Sequence, residues 1–317
     1  MKNKHWRNHP KLIIDESGED YYLFEEIQGN PDSFTIRKVS TEEVKKVRKA
    51  NEDLFEFLFL FRKIKELDRN HNEALTKIFQ LKNFWAIKNN PLVMPEDEIE
   101  DAFIEVNRKF TNFILSFANF HDIFKKRVIN RYTKKSSEYQ KFINFIATSK
   151  EKHFVYRFFG ELRNYTAHFH YPINYINPSV YFDEKSDDYV GEIPIYFDKN
   201  KLLEDKDIRE KLGADLQNLK DLFDVEPYLI DIIPVLEKLN QFLFNIIKND
   251  LIESSNILMR LYNECSNLGN SVFIGNPQVV KHVNGRYIIE TPTIRIRTDI
   301  IEDIRKAIEK YTTVNNS

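Results

Sequence analysis

The stretch that decides the fold is EDEIEDAFIEVNRKFTNFILSFANFHDIF, residues 96–124. Ile99, Phe103, Val106, Phe110, Phe113, Phe117, Phe120 and Phe124 recur in it at alternating steps of four and three. Side chains at that spacing line one side of an α-helix, so the sequence predicts a long helix from about Glu96 to Arg131. Six of the eight seam residues are phenylalanine, which makes the stripe a core-forming face and its core heavily aromatic.

Working downstream, SSEYQKFINFIATS reads as a short helix capped by Ser136 or Ser137. A third helix is expected from Lys150 to His170, with Phe154, Phe158, Leu162, Tyr165 and Phe169 on one side. Pro172 stops it, because proline cannot continue the hydrogen-bond ladder. SVYFDEKSDDYVGEIPIYF reads as a β-hairpin, with strands around Val180 to Phe182 and Ile193 to Phe197. The chain is then expected to be helical through Cys265, with VEPYLIDIIPVLEKL opening the last long helix. Upstream, Ser40 and Glu43 form a capping-box pattern. The helix they start is expected to run to about Leu67, followed by a second piece from Asn72 to Ile87. Its LFEFLFLF run is too apolar for one exposed face, so it should be buried or bound to another subunit.

Both ends read as β-rich. KLIIDES, YYLFEEI and SFTIRKV are strand-like runs at the front. SVFIG, VVKHV and RYIIETPTIRI, with an Asn284–Gly285 turn, precede a final helix over about Asp299 to Tyr311. The expected fold class is mainly α: a helical bundle at 96–265 with a β-hairpin at about 179–198. An N-terminal β-rich segment (1–40), a helical segment (41–92) and a C-terminal β-hairpin plus helix (270–317) surround it.

Composition narrows the function. With 42% hydrophobic and 30% charged residues, the 317-residue chain is that of a folded globular protein. It has eight glycines and neither Gly-rich phosphate-binding pattern. The single cysteine, Cys265, excludes an internal disulfide and a Cys-rich zinc site. The opening MKNKHWRNHPKL lacks the apolar run of a secretory signal, and no membrane span is expected, so the default location is the cytoplasm. Net charge is −2, yet between Ile104 and His170 thirteen basic side chains face five acidic ones. A basic segment in a near-neutral protein points to a local anionic partner, or to a solvated helix face. Lys125, Lys126, Arg127, Arg131, Lys134 and Lys135 are the candidates for following an RNA backbone. His121, near this basic end, is expected to face solvent.

The chemistry-bearing stretch is FFGELRNYTAHFHYPI, residues 158–173, which holds Arg163, Asn164, His168 and His170. Cleaving an RNA phosphodiester without a metal needs a group that accepts and returns a proton, and a cation that steadies the charged phosphorus centre. Histidine titrates near neutrality and arginine matches phosphate oxygens with its planar fork. Asn164 and His168 are one turn apart, while Arg163 lies roughly 140° around the helix from His168. Reaching one phosphate therefore relies on the length of the arginine or on a second protomer. His168 and His170 lie roughly 160° apart, a poor pair for one metal, and no cofactor is expected. The same residues also suit a polar helix end facing water. Tyr165 should pack in the core.

An Arg followed by a polar residue and, five residues on, a His, closing an amphipathic helix after a long heptad helix, resembles the HEPN superfamily (higher eukaryote and prokaryote nucleotide-binding). The resemblance covers about residues 96–265. It implies an all-α bundle acting as a metal-independent endoribonuclease, paired as a homodimer so that two motifs line one cleft. By position Arg163 would hold the phosphate, His168 would be the acid/base with His170 as the alternative, and Asn164 would be the polar motif residue. It further implies a toxin or antiphage abortive-infection role, with an antitoxin or regulatory partner. The competing expectation is a non-catalytic bundle that binds a partner protein or nucleotide.

Overall fold

Helix α1 spans Thr41–Lys82 and helix α2 spans Glu96–Tyr132, the latter closely matching its seam. They belong to a computed structural model that describes residues 20–26, 33–82, 96–168, 171–176, 178–185, 187–265, 271–275, 278–283, 286–290, 293–296 and 298–313. The protein is mainly helical with small antiparallel sheets. It divides into two compact units, Leu60–Leu243 and Met1–Phe59 with Phe244–Ser317. This division cuts across the sequential segments read above, because the strands at the two ends of the chain share one sheet.

In Leu60–Leu243 the seam of α2 is core from Val106 through Phe124. Helix α3 (Ser137–Lys152) starts at an N-cap Ser136 whose hydroxyl accepts from the Tyr139 N–H at 3.1 Å. Helix α4 (Phe154–His168) begins later than expected. Helix α3 runs to Lys152, and His153 takes an extended conformation (φ −120°, ψ 104°) that interrupts the ladder. Phe110 and Phe113 meet Phe159 of α4 edge-on, at 5.9 and 5.1 Å between ring centres. Edge-to-face packing of this kind adds to the area buried.

After α4 the chain enters strand β3 (Tyr175–Ile176), then β4 (Ser179–Asp183) and β5 (Asp188–Glu192), then β6 (Ile195–Asp198). The hairpin is therefore formed by β4 and β5, with Asp183 opposite Asp188. The expected second strand at Ile193–Phe197 instead lies between β3 and β7 (Leu222–Asp224) in a three-stranded sheet. Ile193, Ile195 and Phe197 alternate inward and are fully buried, and that inward row fixes the register. Phe197 packs on Phe158 at 5.1 Å and on Phe223 at 5.2 Å. Helices α5 (Lys199–Glu204), α6 (Lys206–Gln217), α7 (Glu226–Asp231) and α8 (Ile233–Glu264) follow. The expected single helix divides at Ile232 because Pro234 has no N–H to extend the ladder of α7.

One correction concerns α1. It does not stop at Leu67: the DRNHN segment carries neither glycine nor proline, and the helix passes through it. Its His71 is buried, with Nε2 2.7 Å from the Leu229 carbonyl and the ring edge-on to Phe113. Residues 83–87 of the expected second piece lie outside the described residues. In the apolar run, Leu54, Phe57 and Leu60 are buried, whereas Phe55 and Phe59 are exposed.

In the other unit, strands β1 (Tyr21–Glu26), β2 (Ser33–Val39), β8 (Ser271–Gly275) and β11 (Thr293–Ile296) form an antiparallel sheet in the order β11-β8-β1-β2. Four consecutive residues of β1, Tyr22–Glu25, are buried, as expected of a central strand covered on both faces. Strands β9 (Gln278–Val283) and β10 (Arg286–Glu290) pair as a hairpin, with Val283 opposite Arg286, before helix α9 (Thr298–Thr313). Ser40 caps α1 through its Oγ, which accepts from the Glu43 N–H at 3.2 Å. The Glu43 carboxylate does not close the box, because Arg37 takes it bidentately at 2.7 and 2.9 Å. KLIIDES and the Asn284–Gly285 turn lie outside the described residues.

Candidate functional site

Helix α4 carries the motif. Its inward side is set by Phe158, Leu162 and Tyr165, all buried, so Tyr165 is a core residue as its position predicts. Burial pushes the Tyr165 hydroxyl above the usual tyrosine range. Arg163 and Asn164 sit between this face and solvent and are half-buried. His168 is the last residue of the helix, and its side chain lies outside the described set, as does the whole of His170. On helix geometry Asn164 and His168 share a face, with Arg163 roughly 140° away from His168.

The Arg163 guanidinium reaches Asp122 on α2, with Nη1 3.9 Å from Oδ2. That separation is too long for a hydrogen bond. The same carboxylate is approached from its other oxygen by His121, whose Nδ1 is 3.9 Å from Oδ1. One turn further along α2 are Lys125 and Lys126, both exposed, on the face that Asp122 occupies. Arg127 and Arg131 are half-buried, and the Arg131 guanidinium lies 5.7 Å from the Tyr132 ring centre. Lys134 and Lys135 are exposed in the turn that follows, entered through Thr133 with φ 63°. A positive φ on a β-branched residue is strained. Much of the remaining basic charge is already paired: Arg108 with Glu105, Lys109 with Glu73, and Arg157 with Asp215 at 2.8 Å.

His121 corrects an expectation. It does not face solvent: its side chain is 21% exposed, against 63% for Asp122. Its ring lies among Phe142 and Tyr156, at 6.4 and 6.3 Å between centres. Burial, then the charges of Lys150 and Lys125, hold its pKa below the usual histidine range, against the opposing pull of Asp122. His121 Nε2 and Tyr156 Oη are both buried without a hydrogen-bond partner among the described residues.

The sequence carried a signal for this. Asn107, Ile114, His121 and Val128 are heptad-spaced, and the first three each follow a seam residue: Val106, Phe113 and Phe120. Asn107, Ile114 and Val128 are buried, so the inward stripe of α2 is wider than a two-position seam. Asn107 and His121 are the two polar members of that column. Asn107 is fully buried and brackets the backbone of Ile173, five residues beyond His168. It thereby fixes the path of the chain leaving the motif helix.

Among the described residues no group of three or more His, Cys, Asp or Glu side chains is arranged to hold a metal ion, and no helix is long and apolar enough to cross a membrane. Compared with known proteins, the chain matches no family model, no curated protein and no solved structure.

Proposed function

We propose that this protein is a metal-independent endoribonuclease of the HEPN type, working as a homodimer. In this reading the ribose 2′-oxygen attacks phosphorus and gives its proton to the His168 imidazole of one protomer. The P–O5′ bond breaks, and the 5′-oxygen takes a proton from the His168 imidazolium of the partner subunit. The products are a 2′,3′-cyclic phosphate and a 5′-hydroxyl. Arg163 neutralises the charge on the phosphoryl oxygens, and Asn164 orients the phosphate or the imidazole. Lys125, Lys126, Arg127, Arg131, Lys134 and Lys135 follow the RNA backbone. A toxin or abortive-infection role, held in check by an antitoxin or regulatory protein, suits an enzyme that destroys cellular RNA.

The observation that supports this reading best is the contact between Arg163 and Asp122. It brings the guanidinium to the face of α2 where the exposed Lys125 and Lys126 project, so a phosphate at Arg163 and the next phosphates along a strand meet one positive surface. The test is to incubate purified protein with RNA in excess EDTA and identify the ends formed. Cyclic phosphate termini are expected. RNA that is bound but left intact would favour the binding-module reading.

A further inference from the structure

The largely covered His121 imidazole, which shares the Asp122 carboxylate with Arg163, has no place in the mechanism above, which uses only His168. We propose that His121, Asp122 and Arg163 form a gated phosphate subsite, in which an incoming phosphodiester displaces the Asp122 carboxylate from Arg163 and accepts hydrogen bonds from both the guanidinium and the His121 Nδ1–H. The inference rests on the ribonuclease reading for the identity of the anion.

Asp122 stands between the two donors, 3.9 Å from each, beyond the ordinary hydrogen-bond range on both sides. The carboxylate marks where an anion is attracted without itself being locked there. Asp122 is 63% exposed, so its side chain can turn toward water when a competing anion arrives. The His121 ring has one nitrogen toward that carboxylate, and the other, Nε2, is buried without a partner among the described residues. Protonating a desolvated nitrogen is costly, so the ring stays neutral with its proton on Nδ1, the side that faces the anion. Lys125 on its own helix and Lys150 on α3 favour neutrality as well, while Asp122 opposes it; Tyr156 on α4 also faces the ring, with Arg163 beyond Asp122. A phosphate adds negative charge next to Nδ1–H and strengthens the bond it donates.

Asp122 is then an electrostatic gate. It holds Arg163 in the absence of RNA and repels weakly binding anions. A polyanion supported by Lys125 and Lys126 outcompetes it.

The test uses an uncleavable 2′-deoxy tetranucleotide at low salt, with affinity measured by titration and the His121 ring followed by ¹⁵N NMR. Asp122→Asn removes the competing charge and should tighten binding about fivefold. His121→Phe should weaken it about tenfold, and His121→Gln, which keeps a donor, should stay within about threefold of the wild type. The Nδ1–H resonance should shift on binding, and the shift should vanish in Arg163→Ala. Circular dichroism and melting show whether each variant is folded. Wild-type binding by both Asp122→Asn and His121→Phe, with no change at the His121 ring, overturns the subsite. If RNA is never cut yet these variants shift binding as stated, the subsite stands and the nuclease reading falls. If RNA is cut, and His121→Phe and Asp122→Asn bind and cleave as the wild type does, the nuclease reading stands and the subsite falls.

Discussion

Asn107 grips both main-chain groups of Ile173: its Nδ2 donates to the Ile173 carbonyl at 3.0 Å, and the Ile173 N–H donates to its Oδ1 at 3.0 Å. Both residues are fully buried. A side-chain amide matches a backbone amide donor for acceptor, and only asparagine or glutamine can do so. Asn107→Leu leaves two buried backbone groups unpaired and should cost about 2–5 kcal/mol in urea unfolding. A cost below about 1 kcal/mol would show that water reaches this turn.

The aromatic core makes a second demand. Phe158 is fully buried and its ring meets Phe154, Phe159, Phe197, Phe223 and Tyr228. Phe158→Ala removes a ring from the packing between α4 and the β6–β7 pair, and should destabilise the protein by about 3–5 kcal/mol. Phe158→Leu should recover more than half of that loss in the same unfolding measurement.

The pH dependence of stability follows from His121. Its folded-state pKa is lowered, with burial the largest cause, so below the ordinary histidine value of 6.5 the unfolded chain binds a proton that the folded chain resists. Stability attributable to this group is therefore intact above pH 6.5 and declines as the pH falls toward the folded value. Melting temperature measured from about pH 7.5 down to about 5.0 should fall in the wild type and fall less in His121→Gln. Identical slopes would mean that the imidazole is not desolvated.

Lys125, Lys126, Lys134 and Lys135 are exposed on one basic end of the bundle. If they follow RNA phosphates, Lys125→Gln with Lys126→Gln should weaken RNA retention for all sequences alike. The slope of log affinity against log salt should drop by about 0.7 for each phosphate that no longer meets a lysine. An unchanged slope would make these lysines ordinary surface.

What the sequence revealed and what it hid both have physical causes. The α2 seam was legible because eight apolar residues at one period admit one geometry. The start of α4 was not, since nothing local distinguishes the extended His153 from a helical residue. The β5–β6 boundary was missed because Ile193 to Phe197 read well as a strand, while its partners β3 and β7 lie far off in sequence. The continuity of α1 was hidden by DRNHN, whose polar look conceals a buried His71. At the site, Arg163 and the exposed lysines were readable from residue type and charge. Asp122 was not, because its importance comes from a contact between α2 and α4; the heptad column could have shown that His121 turns inward, but not that it shares the Asp122 carboxylate with Arg163.

The most direct test of the central claim is the rate of RNA cleavage in EDTA by the wild type, Arg163→Ala and His168→Ala, each shown by circular dichroism to be folded. The account predicts cyclic phosphate ends from the wild type and a loss of at least about a hundredfold in either variant, the scale expected for removing a general acid/base or its phosphate-binding cation. Equal cleavage by all three, or none by the wild type, would contradict it.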